Sequence, residues 1–99
     1  MTTLSRSETD FLYWHAVSKL RISMFDDAAV LFDLLQAAHP EWVDARLGLA
    51  YCQMRLGQLD EAHQGLEKAR GRSVNSAAEP LVARLLRRCE FERGKGQGD

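Results

Sequence analysis

The sequence predicts an all-helical domain, and three observations predict it. The first is composition: 14 Leu and 12 Ala stand against 5 Val, 1 Ile and 3 Thr, an excess of helix formers over the β-branched residues that strands favour. The second is periodicity, with apolar residues recurring at i, i+3, i+4 and i+7 in successive segments. The third is an internal period of 34 residues, the length of one helix–turn–helix unit. Ninety-nine residues, 45% apolar and 27% charged, suit one small globular domain.

The elements follow in order. Ser5 and Glu8 match a capping box, which satisfies the free amides of a helix start. The first helix is expected from Ser7 to Arg21 and carries Phe11, Leu12, Trp14, Val17 and Leu20. A break follows at Ile22–Met24. Asp26 and Asp27 suit the positive end of a second helix, in which Ala28, Leu31, Phe32 and Leu35 share a face. Pro40 ends that segment and opens the next. The third helix is expected from Glu41 to Leu56, with Leu47, Ala50, Tyr51 and Met54 at the same spacing, and Gly57 ends it. The fourth runs from Asp60 to Arg70 with Ala62, Leu66 and Ala69 inward. GRSVNS reads as a turn. The fifth spans Ala78 to Glu92, with Pro80 near its start and Val82, Leu85, Leu86 and Cys89 in register. The domain is thus residues 1–92, and the glycine-rich tail at 93–99 reads as disordered.

The repeat joins these elements into a pattern. Phe25–Ala28 lies 34 residues before Leu59–Ala62; Ala16 maps onto Ala50, Ser23 onto Gly57, Phe32 onto Leu66 and Leu35 onto Ala69. In period and pattern the chain resembles the tetratricopeptide repeat family over roughly Thr9 to Glu92. The second unit, LAYCQMRLGQLDEAHQGLEKA, matches well. Small residues at Ala50 and Ala62 let paired helices approach, and Leu66 fills the space beyond. The first unit departs from the pattern at His15 and Ser23, and Arg46 replaces the early tryptophan of the second. The resemblance implies a stack of helical hairpins, about five helices in all: two repeats and a capping helix. Short stacks of this kind have little core, and a partner is expected to contribute to stability.

Such repeats bind other proteins along the surface lined by their first helices. The register places Tyr13, Val17 and Leu20 there from helix one, Leu47, Tyr51 and Met54 from helix three, and Leu81 and Leu85 from helix five. Asp10, Asp44, Arg21, Arg55 and Arg88 punctuate this apolar trough; the alternative reading is that its apolar residues face each other in a small core. The Lys and Asn clamp of heat-shock co-chaperones is absent from these positions.

The chain carries few of the residues that other functions require. His15, His39 and His63 have no metal-ligand spacing with each other or with Cys52 and Cys89. His63 is expected to pair on the surface with Glu67, His15 to sit partly buried in the packing, and both cysteines to be inert core. Phosphate loops and nucleophile elbows are missing, so neither an enzyme nor a cofactor is expected. A net charge of −1 disfavours a nucleic-acid binder. No stretch has the length and apolarity of a membrane span. The start, MTTLSRSETD, lacks a signal peptide's apolar core, which gives a cytoplasmic reading. Charge is uneven, however: residues 1–69 hold 6 basic and 10 acidic side chains, residues 70–99 hold 7 and 4. Arg84, Arg87 and Arg88 share one face of helix five, read as a solvated outer face or a docking surface for an acidic partner.

A narrower resemblance rests on SETDFLYWHAVSKLRISMFDDAAVLFDLLQAAHPEW. An acidic-aromatic first helix, the FDDA turn and a closing proline are similar to small bacterial type III secretion chaperones of the YscY type. The segment LGLAYCQMRLGQLDEA is similar to the longer class II translocator chaperones of the SycD/LcrH type. The first resemblance implies a protein that holds a secreted export-apparatus component through its apolar helix and delivers it to the export gate. Two other functions fit the same fold: a generic assembly scaffold, and a regulator acting through the basic helix five.

Overall fold

The computed structural model describes residues 5–72 and 79–97. They form α1 (Arg6–Arg21), α2 (Phe25–Ala38), α3 (Val43–Arg55), α4 (Leu59–Arg72) and α5 (Glu79–Gln97). Each helix packs on the next, α1 also touches α3, and α3 touches α5. This is a stack of helical hairpins, as the repeat implied. Residues 73–78, which include Ala78 and most of the expected turn, lie outside the described residues.

The capping box forms as read. The Glu8 amide donates to Ser5 Oγ at 3.1 Å and the Ser5 amide to Glu8 Oε1 at 2.9 Å. That accepted amide bond holds the Glu8 carboxyl below its ordinary range. Helix three starts two residues later than expected. Pro40 and Glu41 belong to a turn that the Trp42 amide closes on the His39 carbonyl at 3.0 Å.

The two hairpin turns are built alike. The amides of Ser23 and Met24 bond back to Leu20 and Lys19 at 3.0 and 2.9 Å; those of Gly57 and Gln58 bond to Met54 and Gln53 at 3.2 and 2.8 Å. Each partner pair is 34 residues apart, and the pattern is a left-handed helix stop. The backbone is left-handed at both positions, φ 81° at Gly57 and 63° at Ser23. A side chain in that region costs about 1–2 kcal/mol, which glycine avoids at the expense of about 0.4–1 kcal/mol in unfolded-chain entropy. Ser23→Gly is therefore expected to stabilise the protein by about 0.5–1 kcal/mol, read as a higher denaturation midpoint; a lower midpoint would refute the strain.

Burial follows the repeat. Ala16 and Ala50, Ala28 and Ala62, Phe32 and Leu66, and Leu35 and Ala69 are all buried. They belong to two clusters. One gathers Ala16, Ala28, Phe32, Leu35, Ala45 and Cys52. The other gathers Leu47, Ala50, Ala62, Leu66, Ala69, Val82, Leu86 and Cys89. Helix α3 contributes to both. At the junction of the repeats, Gly48 lies against the Phe32 ring; a Cβ there would stand 2.5 Å from Phe32 Cε1. Arg46, in place of tryptophan, is buried. Its Nη1 and Nη2 donate to the Gln36 side-chain oxygen at 2.8 and 2.9 Å, tying α3 to the end of α2. The Gln36 amide orientation is assigned from that network.

Three expectations need correction. His15 is exposed and stacks on Phe11 at 5.9 Å, because no element covers that side of α1 among the described residues. His63 pairs with Glu90 across to α5 at 3.3 Å, rather than with Glu67. And α5 continues to Gln97, past the expected end at Glu92. Glycines at 94 and 96 each cost a helix about 1 kcal/mol relative to alanine but do not forbid it, and Arg93 Nε anchors the last turns to Asp60 Oδ1 at 3.1 Å.

Candidate functional site: an apolar groove across three helices

The first helix of each unit and α5 line one face. Tyr13, Val17 and Leu20 of α1, Leu47 and Tyr51 of α3, and Leu85 of α5 converge on a groove of about 520 Å³. A second depression, of about 330 Å³, continues from it through Tyr51 and Leu85 to Met54. Seven of the eight expected groove residues therefore meet. The side chain of the eighth, Leu81, lies outside the described ones.

Their roles differ with burial. Leu47 is only 6% exposed and belongs to the core, so it forms the floor. Val17, Leu20, Met54 and Leu85 are half-buried against the two clusters and form the walls. Tyr51 is 36% exposed and stands where the two depressions meet. Its ring meets Phe25 edge-on at 6.1 Å, and the Arg55 guanidinium lies over the same Phe25 at 5.1 Å. Tyr13 packs against Trp42 at 4.9 Å and meets Phe32 edge-on at 6.3 Å. Partial burial, then the neighbouring Asp44 charge, raise the Tyr13 pKa, so its phenol enters any contact as a neutral hydroxyl.

Sequence reasoning misses four lining residues. Phe32 reaches the groove from α2, and Gly48 leaves the opening through which its ring is seen. A lone glycine inside a helical pattern is the one signal that points there. Arg84 and Glu92 are the others. The arginine face of α5 is also split: Arg84 and Arg88 line the two depressions, whereas Arg87 is exposed and lines neither. With Asp44, Arg55 and Glu92, these arginines set a mixed rim of one net positive charge around an apolar trough. Arg88 and Glu92 stand 3.9 Å apart. Asp10 is elsewhere, in a depression with Thr9, His39 and Trp42, where Thr9 Oγ1 and His39 Nε2 are 3.0 Å apart. Arg21 is exposed and lines neither part of the groove.

The cysteines lie outside this face. Burial pushes the Cys52 thiol up to about 11. It raises Cys89 as well, whose Sγ donates to the Leu59 carbonyl at 3.2 Å. Both are protonated at neutral pH and poor nucleophiles. Among the described residues, no three His, Cys, Asp or Glu side chains are grouped to hold a metal ion, and no helix is long and apolar enough to cross a membrane.

A hairpin stack with an open apolar groove and a charged rim is a protein-binding module in its design. Residues 23–89 match the tetratricopeptide repeat family, and the chain belongs to it. That family is typically a non-enzymatic protein-interaction module. No curated protein and no solved structure matches the chain.

Proposed function

We propose that the protein is a cytoplasmic chaperone of the type III secretion kind, holding an apolar helical segment of a small export component in the groove. The observation that supports this most is the convergence of Tyr13, Val17, Leu20, Leu47, Tyr51, Met54 and Leu85 into one trough. An amphipathic helix laid there would bury its apolar stripe on these residues. Tyrosine and methionine suit the task, since they offer large adaptable contact area. Arg55, Arg84 and Arg88 favour a client with acidic residues beside its stripe. The FDDA start of α2, the closing Pro40 and the acidic-aromatic start of α1 favour the YscY-type client over the larger translocators of the class II chaperones.

The test is purification of the tagged protein from its host with identification of what accompanies it. A small helical protein encoded among secretion genes is the expected companion. Tyr51→Glu should weaken that complex by roughly 100-fold or more, since it removes the ring where the two depressions meet and puts a charged group against the client's apolar stripe, while circular dichroism stays unchanged. Undiminished binding would remove the groove from the interface. A pair of pore-forming translocators would move the protein to the class II chaperones, and stable complexes with no secreted client would leave an assembly scaffold.

A further inference from the structure

The repeat register exposes a second surface, at the N-terminal end of the stack. Between the repeats, Ala45, Leu49 and Cys52 of α3 pack into the cluster that holds Ala28, Phe32 and Leu35 of α2, and Gly48 meets Phe32. Thirty-four residues earlier these four α3 positions are Phe11, His15, Ser18 and Trp14 of α1. Among the described residues nothing lies over them: Phe11 is 68% and Trp14 65% exposed. Val30 and Leu34 of α2 are also exposed, at 65% and 43%. Their repeat equivalents, Gln64 and Lys68, line one depression together with Leu49, the equivalent of His15. Phe11, Trp14, His15, Val30 and Leu34 therefore belong to one apolar end face. Another repeat could not seat there in the usual way. Gly48 admits an aromatic ring from the preceding helix, whereas Trp14 fills that space itself.

We propose that two copies of this chain pair through that face, α1 against α1, antiparallel about a two-fold axis near Trp14 and His15. The charges of α1 carry the choice of occupant. At 3.6 residues per turn, Asp10 and Arg21 fall along one edge of the Phe11–Trp14–Ser18 stripe, and Glu8 and Lys19 along the other. A two-fold axis brings each edge against the same edge of the second copy, running the opposite way. Asp10 then meets Arg21 of the second copy, and Glu8 meets Lys19. A parallel pairing would set acid beside acid and base beside base. The apolar face amounts to on the order of 400–500 Å² per copy, given 150–250 Å² for each aromatic side chain. That is half or somewhat more of the roughly 800 Å² per partner of a standard interface, which suits a reversible association rather than an obligate one.

Sedimentation equilibrium of the full chain across the micromolar range tests this. The expected result is a monomer–dimer equilibrium that Trp14→Ala weakens roughly tenfold or more. Arg21→Asp alone should weaken it, and adding Asp10→Arg should restore it, because the reversed pair is again complementary. These positions are exposed, so circular dichroism should not change. His15→Cys should give a disulfide-linked dimer under mild oxidation, with Cys52 and Cys89 too buried to compete. A wild type that is monomeric throughout overturns the proposal and leaves the face to a helix of another protein. A dimer indifferent to Trp14→Ala and to charge reversal also overturns it, by placing the contact elsewhere.

Discussion

Replacing Gly48 with alanine is expected to destabilise the protein by about 1–3 kcal/mol, the usual cost of overpacking a core. The sign is the informative part, because helix propensity alone favours alanine over glycine by about 1 kcal/mol. The added methyl would stand 2.5–2.7 Å from three atoms of the Phe32 ring, well inside contact distance. That ring cannot simply swing away, since Phe32 is 2% exposed and packed among Ala28, Leu35 and Ala45. Gly65 is the control. It sits inside α4, and a methyl added there would meet nothing within 4 Å, so Gly65→Ala should stabilise by about 0.5–1 kcal/mol. Urea midpoints of the two variants should move in opposite directions. Phe32→Leu in the Gly48→Ala background should recover part of the loss. Equal gains from both glycine substitutions would show that Phe32 does not rest on α3 as described.

That junction marks the limit of what the sequence discloses. The capping box of α1, the two hairpin turns and the alanine pairs are legible because each is set locally or by the 34-residue register. Ser5 and Glu8 are three residues apart; Gly57 and Ser23 stop helices by backbone geometry alone. The groove is legible for the same reason, since three copies of one helix position must face one way in a stack. What escapes depends on contacts between elements. The spacing of Phe32 assigns it to packing within its hairpin, and nothing in its own helix says that it also reaches the groove past Gly48. Arg84 and Arg88 share a helical stripe with Arg87, but only the tilt of α5 against α4 decides which of them overlook the trough. His15 occupies a motif position that the neighbouring repeat covers in the second unit and that no described element covers in the first.

Leu66→Ala is the core substitution expected to act most widely. Leu66 is fully buried in the second cluster, and truncating such a leucine costs about 2–5 kcal/mol. A chain of this length has about 5–15 kcal/mol in total, so the loss is a large share of it. The two clusters share α3, with Ala45 and Cys52 on one side and Leu47 and Ala50 on the other. In a long solenoid, damage in one repeat can leave distant repeats folded, because only neighbours are coupled. Here every other helix touches α3, and fewer than about three full repeats rarely stand alone. The mutation in α4 should therefore also melt the hairpin at the other end. Trp14 and Trp42 report on that end: Trp42 packs against the first cluster and Trp14 lies beside Tyr13. Tryptophan fluorescence and helical ellipticity should shift to the same lower midpoint. Fluorescence that kept the wild-type midpoint while ellipticity fell in two steps would show that the first hairpin holds without the second. The groove would then be a hinge between two units, because its α1 wall would belong to one and its α5 wall to the other.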